Sequence, residues 1–203
     1  MIILNNKILH IIIFATGIAF NACSPRIISE KYYFQHKDVI DQIEESYRTL
    51  YKHKPFTVAF SDKYFQLITL EIKTDSLTYV YSFGLEEKRI RDSMYKYGLK
   101  VPETLELIRK MRSIRCTWVN NFVHYEEGNQ KSLTFISIKP TSLNSFFSSK
   151  KYYILTYFSQ PQYYDKEGRL LDDRKQRQLQ KLNGEVFKRI NDSVCYTISS
   201  NYR

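Results

Sequence analysis

The sequence predicts a single α+β domain, a mainly antiparallel sheet with helices packed on one face. Three observations carry this. Some blocks place apolar residues at helical spacing, and others alternate apolar and polar residues with the period of a half-buried strand. The blocks are grouped, without the β–α–β alternation that builds a parallel sheet. The 203 residues are 43% hydrophobic with only 6 Gly and 5 Pro, which suits one sizeable core and no low-complexity segment.

Taken in order, Asp38 to His53 puts Ile40, Ile43, Tyr47, Leu50 and Tyr51 on one stripe, and Pro55 ends it. Phe56, Val58 and Phe60 then alternate, as do Ile68, Leu70 and Ile72, and Leu77, Tyr79, Tyr81 and Phe83. Asp62-Lys63 and Thr74-Asp75 turn the chain between them, so these segments read as an antiparallel meander. Residues 85–97 (Leu85, Ile90, Met94, Tyr97) predict a helix capped by Gly98, and Pro102 opens another that runs to about Ile114 on Leu105, Ile108 and Met111. Thr117–Val119 is a short strand. Phe122–Glu126 and Ser132–Ile138 flank residues 127–131 as a hairpin. A Ser-rich loop, Thr141–Lys151, precedes a strand at Tyr152–Ser159. Asp172-Asp173 start a last helix on Leu179, Leu182, Val186 and Ile190, and Val194–Ile198 alternates as a final strand. The expected core includes Ile40, Ile43, Ile68, Leu70, Leu105, Ile108, Leu182 and Val186.

The N-terminus carries the address. Met1 to Asn6 is short and polar enough, through Asn5 and Asn6, to be the n-region of an export signal, Lys7 supplies its positive charge, and Ile8 to Phe20 is apolar apart from His10 and Thr16. That run fits the core of an export signal and is too short for a membrane-spanning helix. Phe20-Asn21-Ala22-Cys23 follows. It resembles the lipobox of bacterial lipoproteins, although that family usually has Leu at the place of Phe20 and a small residue at the place of Asn21. The resemblance implies cleavage before Cys23 and acylation of its thiol, with palmitate-type chains holding the protein on a membrane. Ser24, where family members retained at the inner membrane usually have Asp, implies the outer membrane. Ordinary secretion by cleavage after Ala19, or an uncleaved segment, are the alternatives. The chain therefore divides into a signal peptide at 1–22, a tether at 23–36 and an α+β domain at 37–203.

With Cys23 as the anchor, Cys116 and Cys195 remain as an even pair in an oxidising compartment. They form either a disulfide or two separately buried thiols. The net charge of +10 is densest at Arg109-Lys110-Met111-Arg112 with Arg115, and at Arg174-Lys175-Gln176-Arg177 with Lys181. Export removes nucleic acid as its partner and leaves anionic head groups or a plain solvated surface. His36, His53 and His124 occur in no metal-ligand spacing, and no cofactor or nucleophile motif is present, so no catalytic, metal or cofactor residue is expected. Cys116 with His124 is the one pair a thiol–imidazole mechanism could use. Glu44-Glu45, Glu126-Glu127 and Asp172-Asp173 are the carboxylate doublets. The 17 Tyr suit either a protein- or glycan-binding surface or ordinary packing.

These readings favour a non-enzymatic envelope lipoprotein: a binding or assembly module held by its N-terminal lipid, with an envelope protein or glycan as partner. The alternatives are an envelope hydrolase with dispersed catalytic residues and an immunity-type antagonist of another protein. A deep pocket with converging polar groups favours the enzyme, and a flat or edge-strand surface favours the binder.

Overall fold

A computed structural model describes residues 25–126, 129–138, 152–171 and 187–199. The signal peptide, Cys23, the Ser-rich loop and the stripe Leu179, Leu182 and Val186 lie outside these residues. The elements are α1 (Pro25–His53), β1 (Phe56–Phe60), β2 (Leu67–Lys73), β3 (Thr78–Gly84), α2 (Lys88–Lys96), α3 (Val101–Ser113), β4 (Cys116–Glu126), β5 (Asn129–Ile138), β6 (Tyr152–Phe158), β7 (Lys188–Arg189) and β8 (Val194–Ser199). The strands form one sheet in the order β3-β2-β1-β4-β5-β6-β8-β7, and every pairing is antiparallel. The α+β class and the helices on one face are as the sequence predicts.

Alternation builds the main core. Phe56, Val58 and Phe60 of β1, Ile68, Leu70 and Ile72 of β2, and Val119, Ile136 and Leu155 further across all point to one face. The helices meet them there with Ile40, Ile43 and Tyr47 of α1, Ile90 and Met94 of α2, and Leu107, Ile108 and Met111 of α3. Each fully buried side chain of this size contributes about 1.5–3 kcal/mol of transfer free energy. Leu105, expected in the core, packs against its margin. The opposite face carries a second apolar cluster over β4, β5, β6 and β8, where Trp118, Phe135, Ile154 and Cys195 lie under Leu170 and Phe187.

Several expectations need correction. The stretch read as a tether is helical from Pro25, so the folded body includes residues ahead of 37. Tyr32 and Tyr33 are buried in the core, with the Tyr32 hydroxyl donating to the Ile114 carbonyl. The helix is kinked at His36 (φ −119°, ψ 16°). Thr117–Val119 and Phe122–Glu126 are one strand. Asn120 bridges the polar gap by accepting from the Thr57 hydroxyl (3.0 Å) and the Asn121 N–H (2.8 Å). The hairpin is tighter than expected, with Glu126 paired to Asn129. Ile190 follows β7 and does not end a helix.

Candidate functional site

Cys116 and Cys195 are both free and fully buried. Cys116 is on β4 and Cys195 on β8, with β5 and β6 between them, and they belong to different core clusters. Three strand spacings of ~4.8 Å separate them by roughly 14 Å, twice what a disulfide spans. Of the two alternatives the sequence left open, the structure has two separately buried thiols. Burial pushes the Cys116 thiol up to about 12 and raises that of Cys195 as well, so neither supplies a thiolate. His124 is eight residues along β4 from Cys116, roughly 26 Å of strand, so the thiol–imidazole pair is not assembled.

Two carboxylates meet partners from the sheet at the seam between α1 and the sheet. Lys37 Nζ donates to Asp41 Oδ2 (2.5 Å), and the Tyr157 hydroxyl of β6 donates to Asp41 Oδ1 (2.9 Å). One turn on, Glu44 Oε1 takes Arg48 Nε at 3.2 Å and the Thr134 hydroxyl of β5 at 3.3 Å. Asn191 Nδ2 donates to the Tyr33 hydroxyl (3.1 Å). Desolvation raises Glu44, against the opposing pull of Arg48, and burial with the nearby Asp41 charge raises Tyr157 far more. Each carboxylate is already engaged by a cation and a hydroxyl, so the seam fixes the rotation and position of α1 on the sheet. Of the doublet Glu44-Glu45, only Glu44 faces it, and Glu45 is exposed. The side chains of Glu126-Glu127 and all of Asp172-Asp173 lie outside the described residues.

A cleft of about 280 Å³ lies elsewhere, between Glu30, Asp165–Gly168 and Lys188–Ile190. It sits at the small end of ligand-pocket volumes. Two of its charged residues are engaged locally: Asp165 Oδ1 accepts from the Arg169 N–H (2.7 Å), and Arg189 bonds Asp192 (2.5 Å). No group of His, Cys, Asp and Glu able to hold a metal occurs among the described residues, nor a helix long and apolar enough to cross a membrane.

The remaining feature is the edge of the sheet. β3 pairs with β2 over seven consecutive residues without a bulge, and among the described residues nothing pairs with its other side. Antiparallel pairs alternate in their hydrogen bonding. Thr74 N bonds Leu77 O and Leu85 N bonds Gln66 O, so Leu77, Tyr79, Tyr81 and Phe83 face their backbone groups to β2. Thr78, Val80, Ser82 and Gly84 turn theirs outward. Glu87 covers the last of these, accepting from the Gly84 N–H through Oε1 (2.6 Å). The strand, Thr-Tyr-Val-Tyr-Ser-Phe-Gly, carries no charge and no proline, the usual guards of an edge. On its helix-covered face Tyr79, Tyr81 and Phe83 stack in sequence, with centroids 6.5 and 5.8 Å apart. Tyr97, just after α2, closes on them: its ring is 4.9 Å from Tyr79, and its hydroxyl is 2.5 Å from that of Tyr81. Val80 is 59% exposed on the other face. The sequence displayed the alternation of these residues but carried no signal that β3 is terminal in the sheet, because strand order is set by non-local pairing.

Comparison with protein-family models, with curated proteins and with solved structures finds no match.

Proposed function

We propose that this chain is a non-enzymatic, lipid-anchored module of a bacterial cell envelope that binds a partner polypeptide by adding a strand to β3. The observation that carries the binding half is the regular, uncharged, outward-facing edge at Thr78–Ser82, bordered by the Tyr79, Tyr81 and Tyr97 rings. An incoming strand finds backbone donors and acceptors in register there, and aromatic surface for every second side chain. Among the described residues the catalytic candidates give no competing support, since the buried thiols are protonated and Asp41 and Glu44 are engaged. The anchoring half rests on the likeness of Phe20-Asn21-Ala22-Cys23 to a lipobox. On that basis the lipid is carried by Cys23, in the outer membrane.

Each half has its own test. For the anchor, Cys23→Ser abolishes acyl mass on the mature protein and its partition with membranes; a mature N-terminus at Phe20 would overturn it. For the edge, a photocrosslinking residue at Ser82, in cells of the native host, captures a partner polypeptide, and the same residue at the exposed Glu103 of α3 does not. Val80→Pro removes an outward N–H that β2 does not use, so it abolishes the capture while the fold persists. Equal capture from both positions, or capture unaffected by Val80→Pro, would refute the edge reading.

A further inference from the structure

Resting on that reading of β3, we infer that the segment it accepts is extended and acidic, with apolar or aromatic residues at alternate positions. The alternation follows from the strand itself. A new strand would lie ~4.8 Å beyond β3, and every second side chain would fall on the Tyr79, Tyr81 and Tyr97 side. The charge follows from α2, which packs on that same face through Ile90 and Met94. Its exposed residues include Lys88, Arg89, Arg91 and Lys96 against Asp92 alone. Arg89 is held by Glu87 (2.6 Å), whereas Lys88, Arg91 and Lys96 have no ion pair among the described residues. Lys96 Nζ stands 5.3 Å from the Tyr97 ring centroid, so one of these cations borders the aromatic surface directly. β3 supplies hydrogen bonds without charge preference, and α2 beside it supplies positive charge. The remaining side chains of the added strand therefore do best as Asp or Glu, whose attraction raises both encounter rate and specificity.

The experiment uses the full chain in neutral detergent and three synthetic ten-residue peptides. Each alternates Val and Tyr with a second residue, which is Asp, Thr or Lys. Fluorescence anisotropy is expected to give the Asp peptide at least tenfold tighter binding than the Thr peptide, with the Lys peptide weakest. The advantage of the Asp peptide shrinks as salt rises, and binding is lost in Val80→Pro. In an Arg91→Glu, Lys96→Glu variant, with its fold checked by circular dichroism, the preference reverses towards the Lys peptide. If Thr and Lys peptides bind as well as Asp in the native chain, the acidic partner is overturned while the edge reading stands. If no peptide binds but the chain dimerises in a manner abolished by Val80→Pro, the occupant is a second copy and the inference fails. If neither occurs, the inference fails together with the edge reading.

Discussion

Two side chains illustrate how local chemistry decides what a residue of this protein can do. Asp62 closes the turn between β1 and β2: Oδ1 accepts from the N–H groups of Gln66 (2.8 Å) and Leu67 (2.7 Å), and Oδ2 from that of Tyr64 (2.9 Å). The clamp holds Phe65 at φ 60° with its ring in the core, 4.9 Å from that of Phe60. Slight desolvation pushes the carboxyl up, and the backbone donors together pull it below its usual range. A depressed carboxylate stabilises the fold above its unfolded pKa of ~3.9, and that contribution is lost as pH falls through the lower folded value. Asp62→Ala is therefore expected to cost about 1 kcal/mol in urea unfolding at neutral pH, as loss of a capping carboxylate does. The difference from the native chain should vanish in acid; a difference independent of pH would contradict the clamp. The thiols of Cys116 and Cys195 make the opposite case. Buried and protonated, they should resist a thiol-specific reagent in the native state and both react in denaturant without prior reduction. An intact protein lacking both thiols under denaturing, non-reducing conditions would show a bond between them.

At the scale of elements, legibility followed whether the signal was local. The meander β1–β2–β3 could be read because alternation and polar turns lie within thirty residues of chain, and α2 and α3 because Gly98 and Pro102 punctuate them. The first turns of α1 escaped because the polar run Gln35-His36-Lys37-Asp38 interrupts the apolar stripe ahead of Ile40, and because Pro25 and Lys31 look like linker. Strand β4 was split because Asn120 and Asn121 break its alternation, a break mended by Thr57 from a strand 63 residues away. The candidate site was less legible still. Tyr79, Tyr81 and Tyr97 were visible as apolar positions, but their place at an open edge depends on which strand lies last in an eight-stranded order. The correction at α1 has a measurable consequence. Tyr33 is 1% exposed, so Tyr33→Ala should destabilise by about 3 kcal/mol, in the range for a truncated core aromatic. In a tether the same change would leave the urea midpoint unmoved.

At the scale of the whole molecule, the two edges of the sheet have different roles. α1 crosses the sheet, bonding Tyr157 of β6 and Thr134 of β5 through Asp41 and Glu44 before its last turns reach Phe56 of β1 through Tyr47. Its first turns therefore lie towards β8 and β7, where Glu30 shares a cleft with Lys188 and Arg189. Cys23 is two residues before Pro25, which at full extension is only ~7 Å of chain. On the proposed anchoring, a lipid on Cys23 would hold the β7 edge close to the membrane. β3 is seven strand spacings away, roughly 34 Å across the sheet. The proposed anchor and the proposed binding edge are set apart by the width of the sheet, and an added strand on β3 would meet no bilayer. An environment-sensitive fluorophore at Lys188 should therefore be quenched by nitroxide-labelled lipid in proteoliposomes, while the same fluorophore at Ser82 should not. Removing the anchor with Cys23→Ser should abolish the quenching at Lys188. Equal quenching at both positions in the anchored protein would mean that the sheet lies flat on the membrane, and β3 would then be closed to a partner from solution.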